Sequence, residues 1–85
     1  MEIILHPSFS KDFGKLDDKI RAKFVERRDL FIENPYHLLL NNHALSGEWA
    51  GHRSINVTGD FRAIFRPYES LCVFVRIGTH PQLYG

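Results

Sequence analysis

Read in order, the 85-residue chain changes its polar chemistry at Pro35. After that point there is no lysine. The cations are all guanidinium (Arg53, Arg62, Arg66, Arg76), and His37, His43, His52 and His80 are four of the chain's five histidines. Arginine suits bidentate contact with phosphate and stacking on bases. Histidine donates or accepts a proton near neutral pH. The bland reading of any one strand arginine is a cross-strand partner for an acid. Four of them beside four histidines weaken that reading without removing it. The sequence disfavours other chemistries. His37 and His43 stand six apart without the close pairs of a zinc motif, and Cys72 is alone. No nucleophile elbow and no phosphate-binding glycine loop is present. What remains is acid–base chemistry beside a phosphate, without metal or cofactor. It calls for imidazoles, a carboxylate, a guanidinium and aromatic surfaces. Those are the parts for cutting RNA through its own 2′-hydroxyl.

The elements that must position these groups are legible in outline. Glu2 to Leu5 is β-prone and ends at Pro7. Ser8 is the expected N-cap of a helix from Phe9 to about Leu16, and Asp17 or Asp18 starts a longer helix that stops near Asn34-Pro35. Phe13, Leu16, Ile20, Phe24 and Phe31 recur at helical spacing and form an apolar stripe. Lys11, Lys15, Lys19 and Lys23 lie opposite it, best read as a solvated face because acids are interspersed. Residues 36–51 read as a structured loop around Leu38-Leu39-Leu40 and a run of turn formers. The period then becomes two. Strands are expected over 53–57, 61–66 and 71–77, with turns at Thr58-Gly59 and Pro67 to Ser70, and a short tail follows. The expectation is a single α+β domain over residues 1–85, ordered β-α-α-β-β-β, with two helices on one face of a mainly antiparallel sheet and the first strand at its edge. In the last strand Leu71, Val73, Val75 and Ile77 alternate with Cys72, Phe74 and Arg76. If the aliphatic set meets the helices, Arg76 projects from the far face.

Three segments match a known pattern in order and spacing. His43-Ala44-Leu45-Ser46-Gly47-Glu48-Trp49-Ala50-Gly51-His52-Arg53 resembles the H-x-L-x-G-x-W-x-G-x-R signature of YafQ-type toxins in the RelE/ParE superfamily. Asp60-Phe61-Arg62-Ala63-Ile64-Phe65-Arg66 resembles that family's D-W/F-R-L-I-Y-R strand, and Arg76 to Tyr84 its R-x-G-T-H-x-x-L-F ending. The resemblance spans about half the chain. It implies a RelE-like fold and a type II toxin–antitoxin toxin, a ribosome-dependent mRNA endoribonuclease. Its catalytic set falls on His43, Asp60, Arg76 and His80. His80 would be the principal acid–base group, Arg76 would hold the scissile phosphate, and His43 and Asp60 would share or orient proton transfer. Phe61 and Tyr84 would stack on or wedge against a base, and Arg53, Arg62 and Asn56 are further candidate substrate contacts. Asn56 stands where the best-known members carry another histidine. It can hydrogen-bond a phosphate or ribose but cannot exchange a proton near pH 7. Strand parity offers His52 as a substitute. Trp49 reads as structural, covering a core edge.

Composition bounds the rest. At this length the chain holds one domain with a thin core. It is 44% hydrophobic and 25% charged, which is globular. The lone cysteine, the absence of a signal-peptide pattern and the lack of a long apolar run point to a cytoplasmic protein without a membrane segment. The net charge is only +1: seven cations balance seven acids through Pro35, and four arginines exceed three acids after it. That argues against grip on nucleic acid by bulk charge alone and is a weak argument for a substrate presented by the ribosome. A cognate antitoxin is the other expected partner, docking on the helix pair and edge strand. Two other readings stand behind the nuclease: an inactive relative that binds or regulates, supported by Asn56, and a ParE-like gyrase-binding toxin.

Overall fold

A computed structural model describes residues 1–85. The chain forms β1 (Glu2–Leu5), α1 (Pro7–Gly14), α2 (Asp18–Glu33), β2 (His43–Ala44), β3 (Arg53–Asn56), β4 (Phe61–Pro67), β5 (Leu71–Thr79) and α3 (His80–Tyr84), with single 3₁₀ turns at Leu38–Leu40 and Gly47–Trp49. The sheet order is β1-β5-β4-β3-β2. Only the β1–β5 pair is parallel, so the α+β architecture is as expected, with β1 at an edge. The two-residue β2 and the terminal helix are additions to the expected order.

Local chemistry explains the element ends. His6, not Ser8, caps α1. Its Nδ1 accepts the Ser8 N–H at 3.1 Å, and Pro7 occupies the first turn, where its missing N–H costs nothing. The Asp17 carboxylate accepts the Ile20 N–H at 3.0 Å and starts α2. Arg21 reaches back to the Phe13 and Gly14 carbonyls at 3.2 and 3.0 Å, satisfying acceptors at the end of α1. Asn34, extended before Pro35, ends α2.

The helices bury their apolar stripe against one sheet face. Phe9, Phe24, Phe31, Phe65 and Phe74 form the centre of the core, with ring centroids 5.0–5.9 Å apart in tilted and edge-on pairs. On β5 it is Cys72 and Phe74, not the aliphatic set, that enter this core. The parity then slips. Phe65 pairs with Phe74 but Ile64 pairs with Arg76, so Val75 is an extra residue in a bulge and Ile77 rejoins the helix face. Past Phe74, β5 has no strand on its outer side, and α1 covers that edge. Ser8 Oγ donates to the Val75 carbonyl at 2.6 Å, and the Ile77 N–H donates to Asp12 Oδ2 at 3.1 Å. The opposite sheet face, left free by α1 and α2, carries α3.

Candidate functional site

Pairing aligns the polar groups on that second face. His43 is opposite Ser54, Ser54 opposite Ile64, Asn56 opposite Arg62, and Arg62 opposite Gly78. Paired residues share a face, so β2, β3 and β4 present His43, Ser54, Asn56 and Arg62 together. Immediately after β5, α3 turns back over the same face. Its start is set by the Thr79 N–H donating to Gln82 Oε1 at 2.8 Å. Gly78 permits this approach, since a Cβ there would lie 2.8 Å from Gln82 Oε1. The other end of α3 is fixed by Trp49, whose indole N–H donates to the Leu83 carbonyl at 3.2 Å.

Between α3 and the sheet lies an open cavity of about 450 Å³, lined by His43, Leu45, Ser46, Trp49, Arg62, His80 and Tyr84. Arg62 is its only cation apart from the histidines. Its Nε donates to Ser54 Oγ at 2.7 Å, Nη1 to Asn56 Oδ1, and Nη2 to the Asn41 carbonyl at 3.1 Å. Nη2 also lies 3.2 Å from His43 Nδ1. Burial pushes the Arg62 guanidinium below its ordinary pKa, and the nearby Tyr84 hydroxyl opposes the shift. His43 Nδ1 is also 2.9 Å from the Asn41 carbonyl, so a proton on Nδ1 is held there and Nε2 is left as the basic nitrogen. Asn41 reaches this position through a left-handed backbone (φ 43°), a conformation asparagine adopts more readily than most residues. His80 opens α3 and Tyr84 stands one turn on, with ring centroids 4.7 Å apart. The Tyr84 hydroxyl is buried and makes no hydrogen bond.

The structure brings His43, Arg62, His80 and Tyr84 into one cavity, with Asn56 behind Arg62. Asp60 is exposed on the β3–β4 turn and borders a smaller adjoining cleft that His80 and Phe61 also line. Phe61 is half-buried against the helix-side core. Arg53 and Arg76 stand elsewhere. Arg53 lies at the other face, donating to Asn42 Oδ1 at 2.8 Å with its guanidinium 5.6 Å from the Tyr36 ring centre. Arg76 reaches Asp12 on α1, with Nε 2.6 Å from Oδ2 and Nη2 3.4 Å from Oδ1. The pair sits in a separate depression with Lys15, Asp17 and Gln82. His52 does not line the cavity. Its ring packs edge-on to Trp49, 5.2 Å between centres. Trp49 proves to be a cavity wall as well as an anchor, and Leu45 and Ser46 are walls the sequence had not marked. No three His, Cys, Asp or Glu side chains converge as metal ligands, and no helix is long and apolar enough to cross a membrane.

Comparison with known proteins gives the family and the fold. Residues 1–85 match the family described as "Bacterial toxin of type II toxin-antitoxin system, YafQ". The mRNA interferase toxin YafQ of Escherichia coli K12 is 36% identical over 58 residues, 66% of this chain but only 63% of that protein's length. The form from strain B/BL21-DE3 is 34% identical over 81 residues, 91% of this chain and 88% of that one. The crystal structure of YafQ from strain BL21(DE3) superposes with a TM-score of 0.84 at 28% identity, covering 99% of this chain and 98% of the other. The toxin in the E. coli DinJ–YafQ toxin–antitoxin complex gives 0.80 at 30% identity, covering 99% and 97%. Sequence match along the whole length and the shared fold lead to one conclusion: the chain belongs to the YafQ family of bacterial toxins of type II toxin–antitoxin systems.

Proposed function

We propose that this toxin is an mRNA endoribonuclease that works at the cavity between α3 and the sheet. The observation that carries the reading is the convergence there of two imidazoles, His43 and His80, on a guanidinium and an aromatic ring. The mRNA interferase activity named for the E. coli relatives supports it. The reaction needs only groups of this kind. One imidazole removes the 2′-hydroxyl proton, and the 2′ oxygen bonds to the adjacent phosphorus. The P–O5′ bond breaks, and the second imidazole protonates the departing 5′ oxygen. The products are a 2′,3′-cyclic phosphate and a 5′-hydroxyl, with no cofactor consumed. His80 at the mouth of α3 is the principal acid–base group. His43, with Nδ1 held by the Asn41 carbonyl, is its counterpart. Asp60, which lines the adjoining cleft together with His80, shares in the proton transfer from there. Tyr84 presents aromatic surface to a base in the cavity, and Phe61 offers only its edge on the adjoining cleft.

The substrate is mRNA on the ribosome, and the working compartment is the cytoplasm. A cognate antitoxin restrains the toxin, as DinJ accompanies E. coli YafQ. The surface available to it is the edge strand β1, with Ile4 and Leu5 exposed, and α2, with Val25 and Ile32 exposed. The test is induction of the wild-type toxin and of His80→Ala without antitoxin, followed by mapping of RNA 5′ ends. Cuts within translated codons are expected from the wild type, with at least about 10²-fold fewer from the variant. Equal cutting by both removes His80 from the mechanism. Growth arrest without cuts would favour the inactive-relative or gyrase-binding readings instead.

A further inference from the structure

We propose a second RNA-binding subsite on the bare sheet face next to the cavity, where Arg66, braced by Tyr68, and His52 hold nucleotides that flank the cut; the inference rests on the ribonuclease reading above. Register puts these groups on the face the cavity uses. Ile64 faces that side, opposite Ser54, and Arg66 lies two residues further along β4. His52 precedes Arg53, which pairs with Phe65 on the helix face, so His52 falls beside Arg66. Val73 is the next neighbour in the row, opposite Arg66 on β5. α3 does not reach this row. Its five residues pack over Gly78, where an added Cβ would meet Gln82 and Leu83, and Arg66 is left exposed. The cavity and the row share a wall, because the Trp49 ring lines the cavity and packs edge-on against His52. From Arg62 to Arg66 is four residues along β4, about 13 Å, a span that adjoining nucleotides of one strand bridge.

What the row offers is an uncommitted guanidinium. The four ion pairs of the molecule are Arg21–Asp18, Lys23–Glu26, Arg28–Asp29 and Arg76–Asp12, and Arg66 is in none of them. Its partner is the Tyr68 ring, with the guanidinium carbon 5.7 Å from the ring centre. That contact braces one face of the guanidinium. It leaves the other face for a base and the N–H edge for phosphate oxygens. Arg66 Nη1 lies 4.0 Å from where a Gly51 Cβ would stand, so the guanidinium reaches back to the loop that carries His52. His52 Nδ1 is 3.2 Å from the Ala50 carbonyl, which leaves Nε2 for a ribose or a base edge. Two carboxylates stand on the neighbouring turns, Glu48 and Glu69. Neither pairs with a cation, and Glu69 borders the depression on the helix side. An exposed cation stacked on a ring, continuous with a site for RNA, fits a base and its phosphate. The exposed aliphatic side chains suited to an antitoxin lie on β1 and α2 instead.

The probe is labelled 2′-O-methyl RNA, which lacks the attacking hydroxyl and so binds without being cut. Anisotropy is measured for a trinucleotide and a ten-nucleotide form, on wild type, Arg66→Ala, Arg66→Lys and Tyr68→Ala, with the melting temperature of each toxin. Wild type should bind the longer RNA at least about tenfold more tightly than its extra registers account for. Arg66→Ala should erase that excess, leave trinucleotide affinity unchanged and make the salt slope shallower by about 0.7, the share of one phosphate. Arg66→Lys should keep the slope and still lose about fivefold, because an ammonium cannot stack on a base. Tyr68→Ala should weaken only the longer RNA. In a translation extract, Arg66→Ala should need at least about fivefold more toxin to half-saturate single-turnover cleavage of a reporter mRNA, with the saturating rate within about twofold of wild type. The proposal is overturned by a wild type with no excess affinity for the longer RNA, by Arg66→Ala binding that RNA within about twofold of wild type, or by a saturating rate that falls as far as the affinity. Unchanged RNA binding with weakened antitoxin binding would give the face to the antitoxin. A wild type that shows the length gain yet makes no cuts in the extract would keep the subsite and sink the ribonuclease reading itself.

Discussion

At the scale of single residues, burial and partners decide what a side chain can do, and type alone does not. Cys72 is a thiol by sequence but a core group by structure, 5% exposed and packed with Phe74 and Ile77. Burial pushes its pKa above the ordinary value of 9.0. An acid whose folded pKa is raised stabilises the fold fully below its unfolded pKa. That contribution is lost as pH rises toward the folded value, because the unfolded chain ionises first. Stability should therefore decline above about pH 9, and Cys72→Ser should flatten that decline in denaturant titrations across pH. In the native protein at pH 7.5, alkylation by iodoacetamide should proceed only through opening. Labelling as fast as free cysteine would contradict the buried placement. The same contrast governs the arginines. Arg53 and Asn56, both expected to contact substrate, are three apart in one strand and so lie on opposite faces. Arg76 was not legible in this way. Its position depends on a bulge at Val75 and on Asp12, 64 residues away, and neither leaves a trace in local pattern.

Elements long enough to show a period were readable, and the short ones were not. The stripe from Phe13 to Phe31 revealed both helices because each turn repeats the signal, although α1 runs over Pro7–Gly14, two residues earlier than expected. In α3 there are five residues and in β2 two, too few for any period, yet these carry His80, Tyr84 and His43. What holds α3 is tertiary. Trp49 bonds its last turn, and Gln82 folds back on Thr79 in the space that Gly78 leaves. Trp49→Phe keeps most of the ring's packing and removes the N–H that meets the Leu83 carbonyl. We expect a stability loss of about 1 kcal/mol, the net worth of one hydrogen bond. Cleavage should fall by more than the folded fraction does, because His80 loses its fixed position. Faster amide exchange confined to residues 80–85 would locate the effect in α3. Uniformly faster exchange would show that Trp49 supports the whole fold instead.

Over the whole molecule, the net charge of +1 follows from compensation, and it limits how RNA can be found. Arg21, Lys23, Arg28 and Arg76 are each matched to a carboxylate. Exposed Lys11, Lys15 and Lys19 lie on the helix side of the sheet, away from the cavity. Arg62 in the cavity and Arg66 beside it are the unmatched guanidinium groups on that face, so a single strand bound there exchanges few counterions. Each phosphate neutralised on single-stranded RNA contributes a slope of about −0.7 in log K against log salt. With Arg62, Arg66 and one protonated histidine engaged, the expected slope is about −2.1, at affinities too weak for efficient capture from solution. Fluorescence anisotropy of a labelled ten-nucleotide RNA across a salt series measures it. A slope steeper than about −3 would reveal a broad phosphate track that the charge distribution does not provide. A shallow slope, with cleavage fast on translating ribosomes and slow on the same RNA when free, is the pattern expected if the ribosome delivers the strand and the toxin supplies only the local charge and the two imidazoles that cut it.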